Sequence, residues 1–236
     1  MIWGIQLLET LSGLLLTSIA YSYTIFIRST LFNSDGRNKM KLAVFVIVII
    51  GVVNADVKSA FRDSKIVPDI ILNAPTEEIE IKYGDKEVKF GNELKPTNTR
   101  EIPEVHYKHE GGVLYTLVLT DPDIPVRGYN REWQHWLVGN IPEDKVAKGE
   151  VLTEYVGPAP PMKSGKHRYV FLLYKQNQGA ITFDERRIGN RDKRRNRFSI
   201  RKFADKYNLE GPIAGNYFIA QFDDAVPLIH KQLSIN

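Results

Sequence analysis

The 236-residue sequence contains no cysteine. That excludes a disulfide framework, thiol catalysis and any cysteine-based zinc or iron–sulfur site. It does not exclude secretion, because a chain of this length buries a core without bridges. A G-x-S-x-G nucleophile elbow is also missing, and no serine has an evident pairing with a histidine and an acid. Ser164-Gly165-Lys166 is not a phosphate loop. Pro160 stands where the first glycine belongs, and His167 follows the lysine. No N-x-S/T sequon follows Ala55, so N-glycosylation is not expected. A large charge surplus is absent too. The formal net charge is +4, and residues 1–55 hold four basic and two acidic side chains, which leaves residues 56–236 at +2. That balance gives no case for nucleic acid as a partner.

Two apolar segments open the chain. Residues 10–27 are uncharged but diluted by Ser, Thr and Tyr, at the lower edge of a membrane span. The second segment is sharper. Met40-Lys41, an apolar run over 42–53 and small residues ending at Ala55 describe a secretory signal peptide. Met40 is expected to start translation, residues 1–39 being an upstream extension. The mature, secreted protein then begins at Asp56. The rival is a signal-anchor starting at Met1, which would hold the protein at a membrane.

Beyond Asp56 the patterning is mainly β. Val57, Ala60 and Phe61 fall at helical spacing, with Pro68 as the expected stop. Ile79, Ile81 and Tyr83 alternate with charged residues. Gly84-Asp85 then turns into a second alternating run, a hairpin. Residues 115–120, 136–141, 169–174 and 217–222 read as further strands. The YVFLLY run over 169–174 suits a central strand buried on both faces. Ile200, Phe203, Ala204 and Tyr207 trace one helical face, with Ser199 as N-cap. Residues 227–233 suit a short closing helix. One domain over 56–236 is expected.

Chemistry gathers in three places. Asp121-Pro122-Asp123 is first a turn signal. A calcium loop starting at Asp121 would need a ligand oxygen and a glycine where Pro125 and Val126 stand. His135 and His167 lie in apolar settings. Each reads as a structural histidine, or the two together as donors to an anionic group, with Asp121 or Asp123 orienting an imidazole. His106 and His109 have no third metal ligand evident nearby. Residues 186–202 carry nine basic side chains against Asp192 alone. They read as a solvated loop, or as a contact for anionic membranes.

LTDPDIP, REWQHWLVGNIP, EYVGPAPP, GKHRYVFLLYKQ, FADKYNLEGPIAGNYF and DDAVP, in that order, resemble the phosphatidylethanolamine-binding protein (Raf kinase inhibitor protein) family. The resemblance implies an antiparallel β-sandwich of a larger and a smaller sheet with peripheral helices. It implies a pocket for phosphorylated head groups or similar small anions, without catalysis or cofactor. The pocket residues would be Asp121, Pro122, Asp123, Trp133, His135, Pro161, His167 and Tyr169, with Pro160 on the rim. Phe218 stands where the family usually carries a tyrosine, which removes a donor. Tyr217 should face the other way. The resemblance leaves other readings open: inhibition of an extracellular serine protease or signalling modulation through protein contacts, and carriage of an odorant-like molecule.

Overall fold

The computed structural model describes residues 57–124 and 131–234. The segments read as a leader or anchor lie outside them. Among the described residues no helix is long and apolar enough to cross a membrane.

Two sheets make the frame. We number the strands β1 Glu77–Glu78, β2 Glu80–Tyr83, β3 Lys86–Glu87, β4 Glu104–His106, β5 Leu114–Asp121, β6 Trp133–Pro142, β7 Glu150–Thr153, β8 His167–Gln176 and β9 Glu210–Ala220. The larger sheet runs β1-β9-β8-β5-β6-β7 and the smaller β3-β2-β4. All pairings are antiparallel except β1 on β9. The helices are α1 (57–63), α2 Ile66–Asp69, α3 Ile200–Lys206 and α4 Val226–Ser234.

Alternation along β8 explains the layering. Tyr169, Phe171 and Leu173 enter the core shared with Ile79, Ile81 and Tyr83 of the small sheet. Val170, Leu172 and Tyr174 enter a second core with Phe61, Ile200 and Phe203 from the helices. With period 2, such a strand must be apolar on both faces to lie between two layers. The two residues in question on β9 divide the same way, Phe218 to the first core and Tyr217 to the second.

Some boundaries differ from the sequence reading. α1 stops at residue 63, before Pro68, because Lys65 takes a left-handed φ of 58°. β9 starts at Glu210, not at 217. The hairpin forms as expected, with Tyr83 opposite Lys86 across Gly84-Asp85. Gly84 has φ +59°, which glycine adopts without strain. α3 has its expected cap, the Ser199 Oγ accepting from the Lys202 N–H at 3.4 Å.

Candidate ligand-binding site

Strands β5, β6 and β8 place the candidate residues at one end of the larger sheet. Asp121 closes β5, opposite Trp133, which opens β6. His167 opens β8 opposite Ala220, and Tyr169 stands opposite Phe218. Strand ends expose polar groups that a sheet interior would leave unpaired, so chemistry collects there.

Asp121 is buried and fully used. One carboxylate oxygen accepts from the Asp123 N–H at 2.7 Å, the other from His167 Nδ1 at 2.7 Å. Burial pushes the His167 imidazole down. The hydrogen bond and charge of Asp121, with Asp123 beyond, more than offset this and leave it above its ordinary value. His167 Nε2 is buried and has no partner among the described residues.

His135 has a different setting. Its Nδ1 lies 2.7 Å from the Val156 carbonyl, and the Val156 N–H returns a bond to the His135 carbonyl at 2.9 Å. A carbonyl only accepts, so Nδ1 carries the hydrogen and Nε2 the lone pair. Burial pushes this imidazole down to about 4. It is neutral at physiological pH and donates nothing from Nε2, unlike the two-donor expectation.

Tyr169 sits between them. Its ring stacks on Phe218 with centroids 5.2 Å apart and meets His135 edge-on at 5.1 Å. The hydroxyl is buried without a hydrogen-bond partner. The Asp121 carboxylate, which raises its pKa, and the Ala159 backbone, which lowers it, lie near enough to act on it without closing a hydrogen bond. Burial first, and then the Asp121 charge, hold its acidity far below that of free tyrosine.

A cavity of about 250 Å³ opens here. Of the nine expected residues it is lined by Asp121, Trp133, His135, Pro161 and Tyr169. Four stand elsewhere. His167 reaches it only through Asp121. Pro122 lies in the turn and does not line it. Asp123 orients no histidine. It accepts from the Arg168 N–H at 2.8 Å and from the Arg168 guanidinium through Nε at 2.9 Å and Nη2 at 2.6 Å. Phe218 is fully buried in the core, behind the Tyr169 ring. The missing hydroxyl therefore changes Tyr169's backing and not the cavity wall. Sequence reasoning missed Ile124, Val156, Ala159, Asn196, His230 and Leu233. His230 and Leu233 come from α4, where Leu233 and Ile229 pack on Val156. Their i, i+3 spacing was a usable signal.

The basic segment is not a uniform solvated patch. Arg195 is fully buried. Its guanidinium donates to the carbonyls of Asp192, Gln134, His135, Glu154 and Gly189 at 2.6–3.4 Å. It cannot meet a membrane. It fastens the segment leading to Asn196 against β6 and the stretch after β7 that holds Val156. Arg194 pairs with Asp192, and Arg187 with Glu150. Gly157 helps seat the same wall, since a Cβ there would fall 2.6 Å from the Thr99 carbonyl oxygen.

Glu132 is the second bolt. Its carboxylate accepts from Thr120 Oγ1 and from the Ile200 N–H, both at 3.0 Å. Burial pushes its pKa up from 4.5 to about 7. A raised carboxyl binds more protons folded than unfolded between those values, so it costs stability as pH rises from 4.5 to 7. The cost is up to ~3 kcal/mol at neutral pH. Gln at 132 can keep the Ile200 bond and donate to Thr120 Oγ1, which then donates to the Trp133 carbonyl, 3.2 Å away. Glu132→Gln is expected to raise stability above pH 7 and flatten the wild-type decline. Urea unfolding across pH 5–8 checks this, and a steeper decline in the variant would contradict it.

Comparison with known proteins decides the family. The model of the phosphatidylethanolamine-binding protein family matches residues 73–218. The chain belongs to this family. It is 34% identical over 183 residues to a Drosophila melanogaster protein provisionally named odorant-binding protein A5, covering 75% of this chain and 86% of that one. It resembles the solution structure of CG7054 at 41% identity and a TM-score of 0.58, covering 71% of this chain and 97% of that one. It also resembles a carboxypeptidase Y inhibitor solved in complex with its cognate proteinase, at 27% identity and a TM-score of 0.59, covering 72% and 97% of the two chains. Two of these relatives are named for binding or inhibition, one for odorants and one for a proteinase.

Proposed function

We propose that this protein is a non-enzymatic binding protein whose cavity takes small phosphate-type head groups, such as that of phosphatidylethanolamine. The supporting observation is the Tyr169 hydroxyl, a buried donor without a partner, in a small cavity with apolar walls. Beside it the Asp121 carboxylate is paired with His167, whose raised pKa favours the charged imidazole, so the wall tolerates an anion. At about 250 Å³ the space suits a head group and not a whole lipid. Among the described residues no activated nucleophile lines it.

Tyr169→Phe tests this reading. The substitution breaks no internal hydrogen bond, so stability is expected to hold or rise. Affinity for phosphorylethanolamine is expected to fall about tenfold, the worth of one hydrogen bond to a charged group. Calorimetry reads both. Unchanged affinity would remove Tyr169 from the site.

A second reading has its own support. Ile124, Val156, Trp133 and Leu233 make a mostly apolar wall, and the Drosophila relative is named for odorants. A small alcohol or aldehyde would then occupy the same space, and competition with phosphorylethanolamine separates the two. Protease inhibition is supported by the carboxypeptidase Y inhibitor likeness alone. It should be insensitive to Tyr169→Phe. We also propose secretion, with 56–236 as the mature domain. N-terminal sequencing of protein from medium should read Asp-Val-Lys-Ser, and an intact Met1 in a membrane fraction would contradict it.

A further inference from the structure

The cavity is poorly matched to a doubly charged anion. Among the described residues its wall carries no lysine or arginine. Two nearby guanidinium groups are committed elsewhere. Arg168 is taken by Asp123 and Asp69, and Arg195 by five backbone carbonyls. The wall does carry Asp121, whose charge is cancelled only while His167 holds its second proton.

Geometry, together with the burial that keeps the ring neutral, commits His135 to an acceptor's role. Val156 O fixes the hydrogen on Nδ1, and Nε2 makes no hydrogen bond among the described residues. Several charged or titratable groups bear on this ring. Burial, Arg195 and His167 oppose its protonation, and Asp121 on β5 favours it. Tyr169 meets it edge-on from β8, and His230 of α4 lines the same cavity. The cavity thus offers a hydroxyl donor at Tyr169 and a neutral acceptor at His135. A phosphate dianion has only acceptors and would leave His135 Nε2 facing a lone pair. An unmatched polar group in a desolvated site is costly.

We infer that the cavity takes a phosphomonoester as its monoanion, the P–OH donating to His135 Nε2 and a phosphoryl oxygen accepting from the Tyr169 hydroxyl. This rests on the phosphate-type reading above and narrows it to monoesters, because a diester such as the phosphatidylethanolamine head group has no P–OH to donate. It makes His135 and Val156 a selector of ligand protonation state.

The test is calorimetric titration of the protein with methyl phosphate and with methylphosphonate across about pH 5 to 8.5. A phosphomonoester loses its second proton near pH ~6, so its monoanion falls from about nine-tenths at pH 5 to about one-thirtieth at pH 7.5. Affinity for methyl phosphate is expected to fall about thirtyfold over that interval. Methylphosphonate keeps its second proton to higher pH, and the midpoint of its decline is expected to move up accordingly. A common midpoint for both ligands would assign the decline to a protein group, His167 first, and overturn the inference. Affinity that rises with pH would also overturn it, since the dianion would then be preferred. No binding of either ligand at any pH would instead overturn the phosphate reading beneath it.

Discussion

Arg195→Met is expected to destabilise the protein by at least ~4 kcal/mol, at the far end of what single substitutions do. The side chains are similar in length and apolar stem, so packing is largely kept. What goes is the guanidinium, which is fully buried and serves five backbone carbonyls. Replacing a whole buried ion pair by apolar residues can be neutral, because both partners disappear. Here the partners are main-chain oxygens and stay. Each one left buried and unpaired costs about 1–3 kcal/mol. Water entering the vacated space recovers part of that, so the net loss falls below the simple sum. Burial pulls the guanidinium down to about 10, still charged at neutral pH, so its donors are all present there. Thermal unfolding should fall by roughly 10 °C or more. Arg195→Lys, with three donors and the same charge, should recover part of the loss. A drop of less than ~1 kcal/mol in the methionine variant would mean that the bonds around Arg195 are dispensable.

His167→Asn is expected to weaken binding of phosphorylethanolamine at least ~10-fold while leaving the fold intact. Asparagine places an N–H near the position of Nδ1, so Asp121 keeps its hydrogen-bond donor. It loses the positive charge. The cavity wall then carries an uncancelled carboxylate beside an incoming anion, in a poorly solvated setting where charges act strongly. Wild-type affinity should itself decline at high pH. The folded His167 pKa is raised, so its protonated form persists above the ordinary histidine range and is lost as pH rises through the folded value. The Asn variant should lose the part of that decline that His167 contributes and keep the part set by the second proton of the ligand. Calorimetry with near-UV circular dichroism separates binding from folding. Full affinity in a folded variant would show that the Asp121–His167 pair does not govern the ligand.

Legibility in the sequence follows the range of the interaction. β8 was readable because burial on both faces writes a continuous apolar run, YVFLLY, into six adjacent residues. α3 was readable because its cap and its apolar stripe are both local. β1, β4 and β7 were not, being two to four residues long with at most weak alternation. Their pairing depends on partners far along the chain. In the site, Asp121, His135 and Tyr169 stood out as polar groups at the ends of apolar strands. Asn196, His230 and Leu233 reach the same cavity from elements that nothing local links to it. Arg195 was the sharpest difference. Among nine basic residues nothing in the sequence marks the one that turns inward, because its partners are backbone carbonyls, and every residue has one. Asp123 differed for a related reason. Two carboxylates two positions apart could each have oriented His167, and the Arg168 fork decided between them.

We propose the end of β5, β6 and β8 as an anion-accepting cavity. Titration of nitrogen-15-labelled protein with phosphorylethanolamine, followed at the imidazole signals of His135 and His167, tests it. Saturable changes are expected at both. His135 should remain neutral with its hydrogen on Nδ1, and His167 should become more fully protonated as an anion settles beside its pair. No change at either ring in millimolar ligand would contradict it and leave the scaffold of the family without this function of its cavity.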